Sequence, residues 1–356
     1  MKQKSKIYLR PFGFFGSREG KLLEKKNKAI KLADGYRYFT KIEIIKKTSN
    51  IISERMSVEK FLKLIKKKKN QDLINILSKL KSKRTLLSKS PFKKKKYYIF
   101  GILNITPDSF SDGGDNLLLD NAINNTKEMI KNKVDFIDVG GESTRPGAKK
   151  VRIHDEILRI LPIIQYLHKN KVNISLDTRN AETMKLGLLS GVSIINDVSA
   201  LTNNKDSINV IKEFKKPIIL MHMPGNPKTM MNHIYKNFLL DIYDYLEERI
   251  EFCVKNGISR SNIIIDPGIG FGKDSGQNIE ALKNISLFHS LGCPIMLGVS
   301  RKKFISSIIK EEIPKKRLPG SLSAVISGFN QGVQIMRVHD VKETIQALET
   351  WIKLEF

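Results

Sequence analysis

The sequence predicts an α/β protein: a TIM-type (β/α)8 barrel over residues 97–356, with a basic N-terminal extension over residues 1–96. Three observations carry this expectation. Eight short, nearly continuous apolar runs recur after residue 97, each followed by a helix-length amphipathic stretch. Each run ends in polar or glycine residues. The segment spans ~260 residues, close to what such a barrel needs.

The extension holds 30 Lys or Arg against 7 Asp or Glu, a net of +23 of the chain's +27. Its boundary falls near KSPFKKKK (89–96), where a proline and four lysines suit a linker. KIEIIKK (41–47) alternates and predicts a strand. From Ser57 to Lys81, apolar residues at Val58, Phe61, Leu62, Ile65, Leu73, Ile74, Ile76, Leu77 and Leu80 take helical spacing beside a lysine-rich face. The extension is therefore expected to be partly helical, and no role is assigned to it.

The eight runs are YYIFGILNIT (97–106), VDFIDVGG (134–141), VNISLDT (172–178), SIINDVS (193–199), PIILMHM (217–223), IIIDPGI (263–269), PIMLGVS (294–300) and QIMRVHD (334–340). Continuous apolar runs suit parallel strands covered on both faces by helical crossovers. Eight of them fit a closed barrel, with a doubly wound open sheet as the lesser alternative.

No apolar run approaches the ~20 residues of a membrane helix. The first residues, with Arg10 inside a broken apolar stretch, do not read as a secretory signal. Cys253 and Cys293 sit in apolar contexts and are expected to be buried thiols in a reducing cytoplasm. A charge of +27 suggests a polyanionic partner, but residues 97–356 are nearly balanced. The extension lacks aromatic interleaving beyond Tyr36, Tyr38 and Phe39, so nucleic acid is not an expected partner.

In a barrel of this kind the site lies at the carboxyl ends of the strands. The runs end there in Asn104, Asp138, Asp177, Asn196 with Asp197, His222, Asp266, Ser300 with Arg301, and Arg337 with His339. Any one of them could serve a local purpose, as Asp177 or Asp340 could cap a helix. Together they point to a ligand. Asp177 and Asp266 are acceptors and Asn196 is a two-way amide, which suits a planar heterocycle rich in N–H donors. Arg145, Arg301, Lys302, Arg337 and His339 suit an anion such as pyrophosphate. GIGFGK (268–273) is a weak match to a phosphate loop and reads better as backbone that turns sharply or approaches a flat ligand.

GILNITPDSFSDGG (101–114) resembles the first signature of the dihydropteroate synthases, and DVGGESTRPGA (138–148) resembles the second. SLDTR, INDVSAL, MHMPGNPKTM, IIIDPGIGFGK, GVSRKKF and RVHDV follow in that family's order, so the resemblance covers residues 97 to 350. It implies condensation of 6-hydroxymethyl-7,8-dihydropterin pyrophosphate with p-aminobenzoate in folate biosynthesis, with Mg²⁺ and a sulfonamide-sensitive slot. By the same resemblance Asp177, Asn196, Asp266 and Lys302 grip the pterin, and Arg337 stacks on it and faces the phosphates. Asn104 binds the leaving pyrophosphate or its Mg²⁺, and Arg145 and His339 bind its oxygens. Thr144 and Phe271 line the aminobenzoate slot, and Phe110 is part of a lid.

No strong general base is needed, because the arylamine nucleophile is neutral; His222 is expected to be structural and Glu142 to order the second loop. Two positions depart from the family pattern. Lys303 replaces a small hydroxyl residue where the aminobenzoate carboxylate is expected. Asn180 replaces a frequent cation and is expected to affect only a helix start. A homodimer and a cytoplasmic location are implied. The alternatives are a methyltetrahydrofolate-binding methyltransferase-type barrel, or a non-catalytic barrel with a nucleic-acid-binding extension. The TPDSF and ESTRPG segments, with Arg145, Arg337 and His339, favour the synthase. The extension shows no block of the pyrophosphokinase or aldolase that some relatives carry.

Overall fold

The structure, a computed structural model, describes residues 5–105, 115–145 and 147–355. The alternation read at 41–47 belongs to a longer strand. In order, the extension forms β1 (Lys6–Phe15), α1 (Ser17–Lys25), β2 (Ile30–Lys31), β3 (Tyr38–Lys47), β4 (Ile51–Ser57), α2 (Val58–Lys68) and α3 (Gln71–Lys81). β3 pairs antiparallel with β1, β2 and β4. The stretch 57–81, read as one helical region, is two helices. Lys69 takes a left-handed conformation (φ 45°) and ends α2. The Asn70 side chain then accepts from the Leu73 N–H at 3.0 Å and starts α3. Both helices bury their apolar stripe on the sheet, where Phe39, Ile42, Phe61 and Leu80 are fully enclosed.

The eight predicted runs hold the eight barrel strands. They are β5 (Tyr98–Asn104), β6 (Phe136–Gly140), β7 (Ile174–Asp177), β8 (Ile194–Asp197), β9 (Ile218–Met221), β10 (Ile263–Asp266), β11 (Met296–Leu297) and β12 (Ile335–Val338). The crossovers carry α4 (Asp115–Lys131), α5 (Ile153–Lys169), α6 (Ala181–Leu189), α7 (Ser207–Phe214), α8 (Phe238–Lys255), α9 (Ser275–Lys283), α10 (Lys303–Ile309) and α11 (Leu318–Asn330), with α12 (Val341–Glu355) last. The strands are parallel in the order β10-β9-β8-β7-β6-β5-β12-β11, and an isolated parallel bridge between Ile265 and Ile295 closes the ring. The open-sheet alternative is excluded by that closure. No described helix is long and apolar enough to cross a membrane.

The amino end of the barrel is filled with rings. Phe100 and Phe136 stack with centroids 4.5 Å apart, and Phe92 lies 4.9 Å from Phe136 and 5.0 Å from Tyr98. Phe92 is 3% exposed, so the segment read as a linker also plugs the barrel. Its lysines stay outside while its phenylalanine enters, joined by Leu86 from the turn just before it. The extension docks nearby. Tyr8 meets the Tyr243 ring edge-on at 5.0 Å and donates to Asp244 at 2.9 Å. Arg37 donates to the Asn330 carbonyl at 3.0 Å, and Arg84 to that of His289 at 2.9 Å.

Candidate active site

Strand register sets the opposite end. Asn104 lies beside Gly140, Gly140 beside Asp177, and Asp177 beside Asn196, so three strands deliver their last residues and β8 its penultimate one to one level. Parallel strands buried on both faces end together there, and the polar side chains come out of water together.

Below that level Asp138 is fully enclosed. It accepts from Ser175 Oγ at 2.5 Å, Arg337 Nε at 2.6 Å and Asn196 Nδ2 at 3.2 Å. Arg337 Nη2 also donates to Asp177 Oδ2 at 2.8 Å. One guanidinium thus spans two carboxylates, which leaves excess negative charge in a dry site. Burial pushes Asp177 up to about 7; Arg337 opposes the shift and Asp138 reinforces it. Asp266 is also held up by burial, against Lys302 and the Gly268 N–H that it accepts at 2.7 Å. Burial lowers the Lys302 amine to about 8, against the pull of Asp266.

Asn196 is the most informative side chain. Its amide nitrogen is committed to Asp138, while its buried Oδ1 has no hydrogen-bond partner among the described residues. A buried acceptor left open in an otherwise satisfied network marks where a ligand donor belongs. Asp138 and Ser175, which impose that orientation, received no role from the sequence. Asp138 was visible as a strand end, but its partners Arg337 and Asn196 are distant in the chain.

The GIGFGK segment turns sharply, as its glycines suggested. Gly268, Gly270 and Gly272 all have positive φ. A Cβ on Gly268 would lie 2.0 Å from the His222 carbonyl oxygen, and one on Gly270 would lie 2.9 Å from Lys302 Cδ. Lys302 Nζ donates to the Ile269 carbonyl and sits 4.6 Å from the centre of the Phe271 ring.

On the anion side, the His339 ring is neutral. Burial lowers it to about 3, reinforced by Arg301, Arg337, Arg145 and Lys302. Its Nδ1 lies 3.0 Å from Ser300 Oγ, and Ser300 Oγ in turn accepts the His339 backbone N–H at 3.2 Å. When the serine hydroxyl donates to Nδ1, the neutral ring presents Nε2–H outward as a donor. Arg301 is committed to Asp340 by two hydrogen bonds, so it is not one of the cations open to an anion. Arg145 is exposed and Thr144 partly buried on the loop after β6, and Lys303 is exposed at the first position of α10. Phe110 lies outside the described residues.

One helix-start expectation is corrected, and one alternative is set aside. Asp177 does not cap a helix, because Arg337 holds its carboxylate. Asn180 precedes α6 but its side chain does not cap it; Nδ2 donates to the buried Glu156 at 2.8 Å, alongside Thr178 and Thr183. Glu142 pairs with Arg179 at 2.8 and 2.9 Å and accepts the Val151 N–H at 3.2 Å, which ties the second loop to the barrel. Among the described residues no three His, Cys, Asp or Glu side chains are grouped to hold a metal ion by themselves.

A closed barrel with a dry carboxylate–arginine network beneath an open amide acceptor is built to receive a flat, N–H-rich ring. The sequence matches the pterin binding enzyme family over residues 100–339. It is 40% identical to the dihydropteroate synthase of Synechocystis over 254 residues, covering 71% of this chain and 88% of that one. It is 39% identical to the Escherichia coli dihydropteroate synthase over 253 residues, covering 70% and 89%. The Xanthomonas albilineans dihydropteroate synthase with 4-aminobenzoic acid superposes with a TM-score of 0.69 and 35% identity, over 72% of this chain and 93% of that one. The Clostridium difficile enzyme in the presence of pteroic acid superposes at 0.68 with 40% identity, over 72% and 96%. The chain belongs to the pterin-binding enzyme family. Within that family, its relatives by sequence and by fold are dihydropteroate synthases.

Proposed function

We propose that this protein is the dihydropteroate synthase that joins 6-hydroxymethyl-7,8-dihydropterin pyrophosphate to p-aminobenzoate in folate biosynthesis, releasing pyrophosphate. The observation that carries this reading is the open Asn196 Oδ1, together with the buried carboxylates of Asp177 and Asp266. These three acceptors match the N–H groups along an aminopterin edge. The C–O bond of the pterin CH₂ breaks, its electron pair leaves with pyrophosphate, and the arylamine nitrogen forms the new C–N bond and then loses a proton. Asp177 and Asp266 stabilise positive charge shared into the ring as that bond lengthens. Arg145, Arg337 and His339 Nε2–H stabilise the leaving anion. Arg337 exchanges its contact with Asp177 for the ring and the phosphates when substrate enters.

Asn104 offers one hard amide oxygen at the rim, a donor type that suits Mg²⁺ shared with substrate phosphates. When bound, the ion supplies further charge neutralisation to the leaving group. Thr144, Phe271 and Lys303 face the aminobenzoate in this reading, so sulfonamides compete there, and Phe110 acts in the lid. Residues 1–96 form the basic extension, to which no role is assigned. A homodimer in the cytoplasm is the working state, and the two buried free thiols suit a reducing compartment.

The test supplies both substrates with Mg²⁺ and follows pyrophosphate release. Turnover that requires p-aminobenzoate is expected. Release that is independent of p-aminobenzoate, or absent with both substrates, contradicts the assignment.

A further inference from the structure

Beneath the glycine-rich loop lies a lysine that the mechanism does not use. Lys273 is 3% exposed, and its Nζ is surrounded by the Gly268 carbonyl at 2.8 Å, the Phe271 carbonyl at 2.9 Å and His222 Nδ1 at 2.9 Å. A buried amine with no partner costs several kcal/mol, so a lysine persists here only with a full set of partners. These three satisfy it either as an ammonium donating to all, or as an amine that donates to the carbonyls and accepts from His222. Burial lowers both groups well below their ordinary values. The charged groups acting on the pair are Asp266 and Lys302 on Lys273, and His233 on His222.

The loop is held from its other sides as well. Tyr235 donates to the Gly272 carbonyl at 2.9 Å, and Asn278 accepts the Gly270 N–H at 2.6 Å. Its Phe271 ring packs on Val198, Met221, Met223 and Met230 and faces Lys302. The position of that ring therefore depends on carbonyls that Lys273 grips from below.

We propose that Lys273, tied to His222, is a positioning residue that fixes Phe271 and Gly270 against Lys302 and thereby sets the aminobenzoate slot. This rests on the reading given under Proposed function. It adds a residue on the far side of the loop that touches neither substrate. The pterin grip depends less on this loop than the slot does: its Asn196 and Asp138 contacts belong to β6 and β8, while only Asp266 and Lys302 touch the loop.

Lys273→Met keeps length and removes the donors. We expect KM for p-aminobenzoate to rise about tenfold, the scale of one lost hydrogen bond. Dihydropterin pyrophosphate affinity by calorimetry should fall much less than that. Equal weakening of both ligands, or no change in KM, overturns the proposal. His222→Asn presents an acceptor oxygen near the place of Nδ1 and should recover most of the p-aminobenzoate KM that His222→Leu loses. Equal KM in these two variants also overturns it. In nitrogen NMR of the wild-type protein, His222 should keep one neutral tautomer from acid to neutral pH. Titration of His222 near its ordinary value means the tie is absent. If the wild-type protein does not turn over the two substrates, the functional reading fails; if it does and the variants behave alike, only this inference fails.

Discussion

The two ends of one barrel are built on opposite physics. At the amino end, Phe92, Phe100, Phe136 and Tyr98 fill the interior, and the Arg84 Nη1 and Nη2 atoms donate to the Ser82 and His289 carbonyls nearby. At the carboxyl end, the same strands carry Asp138, Asp177, Asn196, Asp266 and Arg337, with two carboxylates sharing one guanidinium and an acceptor left open. The first end is where apolar area stabilises the fold. The second keeps desolvated charge that a hydrophobic replacement would improve for stability alone. Charge that works against stability is retained where a ligand completes it.

The contrast can be broken most severely at Arg337. Arg337→Met leaves Asp138 and Asp177 buried without their cation and should destabilise the fold by about 3–5 kcal/mol while abolishing turnover. Denaturant titration and the pyrophosphate assay report the two losses separately. Phe92→Ala should cost a similar about 3–5 kcal/mol through the cavity it leaves, but with KM for both substrates unchanged. A shift in KM would mean that the two ends are not independent.

Asp177 sharpens the comparison through pH. Its folded carboxyl is raised from 3.8 to about 7, so the folded chain holds a proton that the unfolded chain has released. Stability of the ligand-free protein should therefore fall as pH rises from about 4 to about 7. Asp177→Asn should flatten that slope in thermal melts, and an unchanged slope would remove Asp177 as its source. The smallest effect is expected at the docking surface. Lys6 pairs with Asp244 and Glu247 at 2.6 Å, but its side chain is 38% exposed. Lys6→Ala should cost only about 0.2–1 kcal/mol and should matter less at high salt.

The parallel strands were legible because burial on both faces writes itself as unbroken apolar runs, and the polar rim was legible because each run ends abruptly. Other features left weaker marks. β4 reads IISERMS with its first five residues exposed, so no alternation announces it. Phe92 is hidden inside a lysine block. The helix break at Lys69–Asn70 rests on one left-handed residue and one capping amide, a signal shorter than the apolar period around it. Within the site, the residue types were readable but their pairings were not. Arg337 and Asp138 are 199 positions apart, and only barrel closure brings them to 2.6 Å. Lys273 was visible only as the last letter of a glycine-rich string; its burial beneath that string depends on three glycines at positive φ and on His222 from another strand.

The central claim is that the open amide and the buried carboxylates at the carboxyl end form the grip on the pterin. The most direct test is calorimetric binding of dihydropterin pyrophosphate to the wild-type protein and to Asp266→Ala. A loss of about a hundredfold is expected, the scale of a charged hydrogen bond removed from a dry site. Equal affinity in the two proteins would contradict the claim.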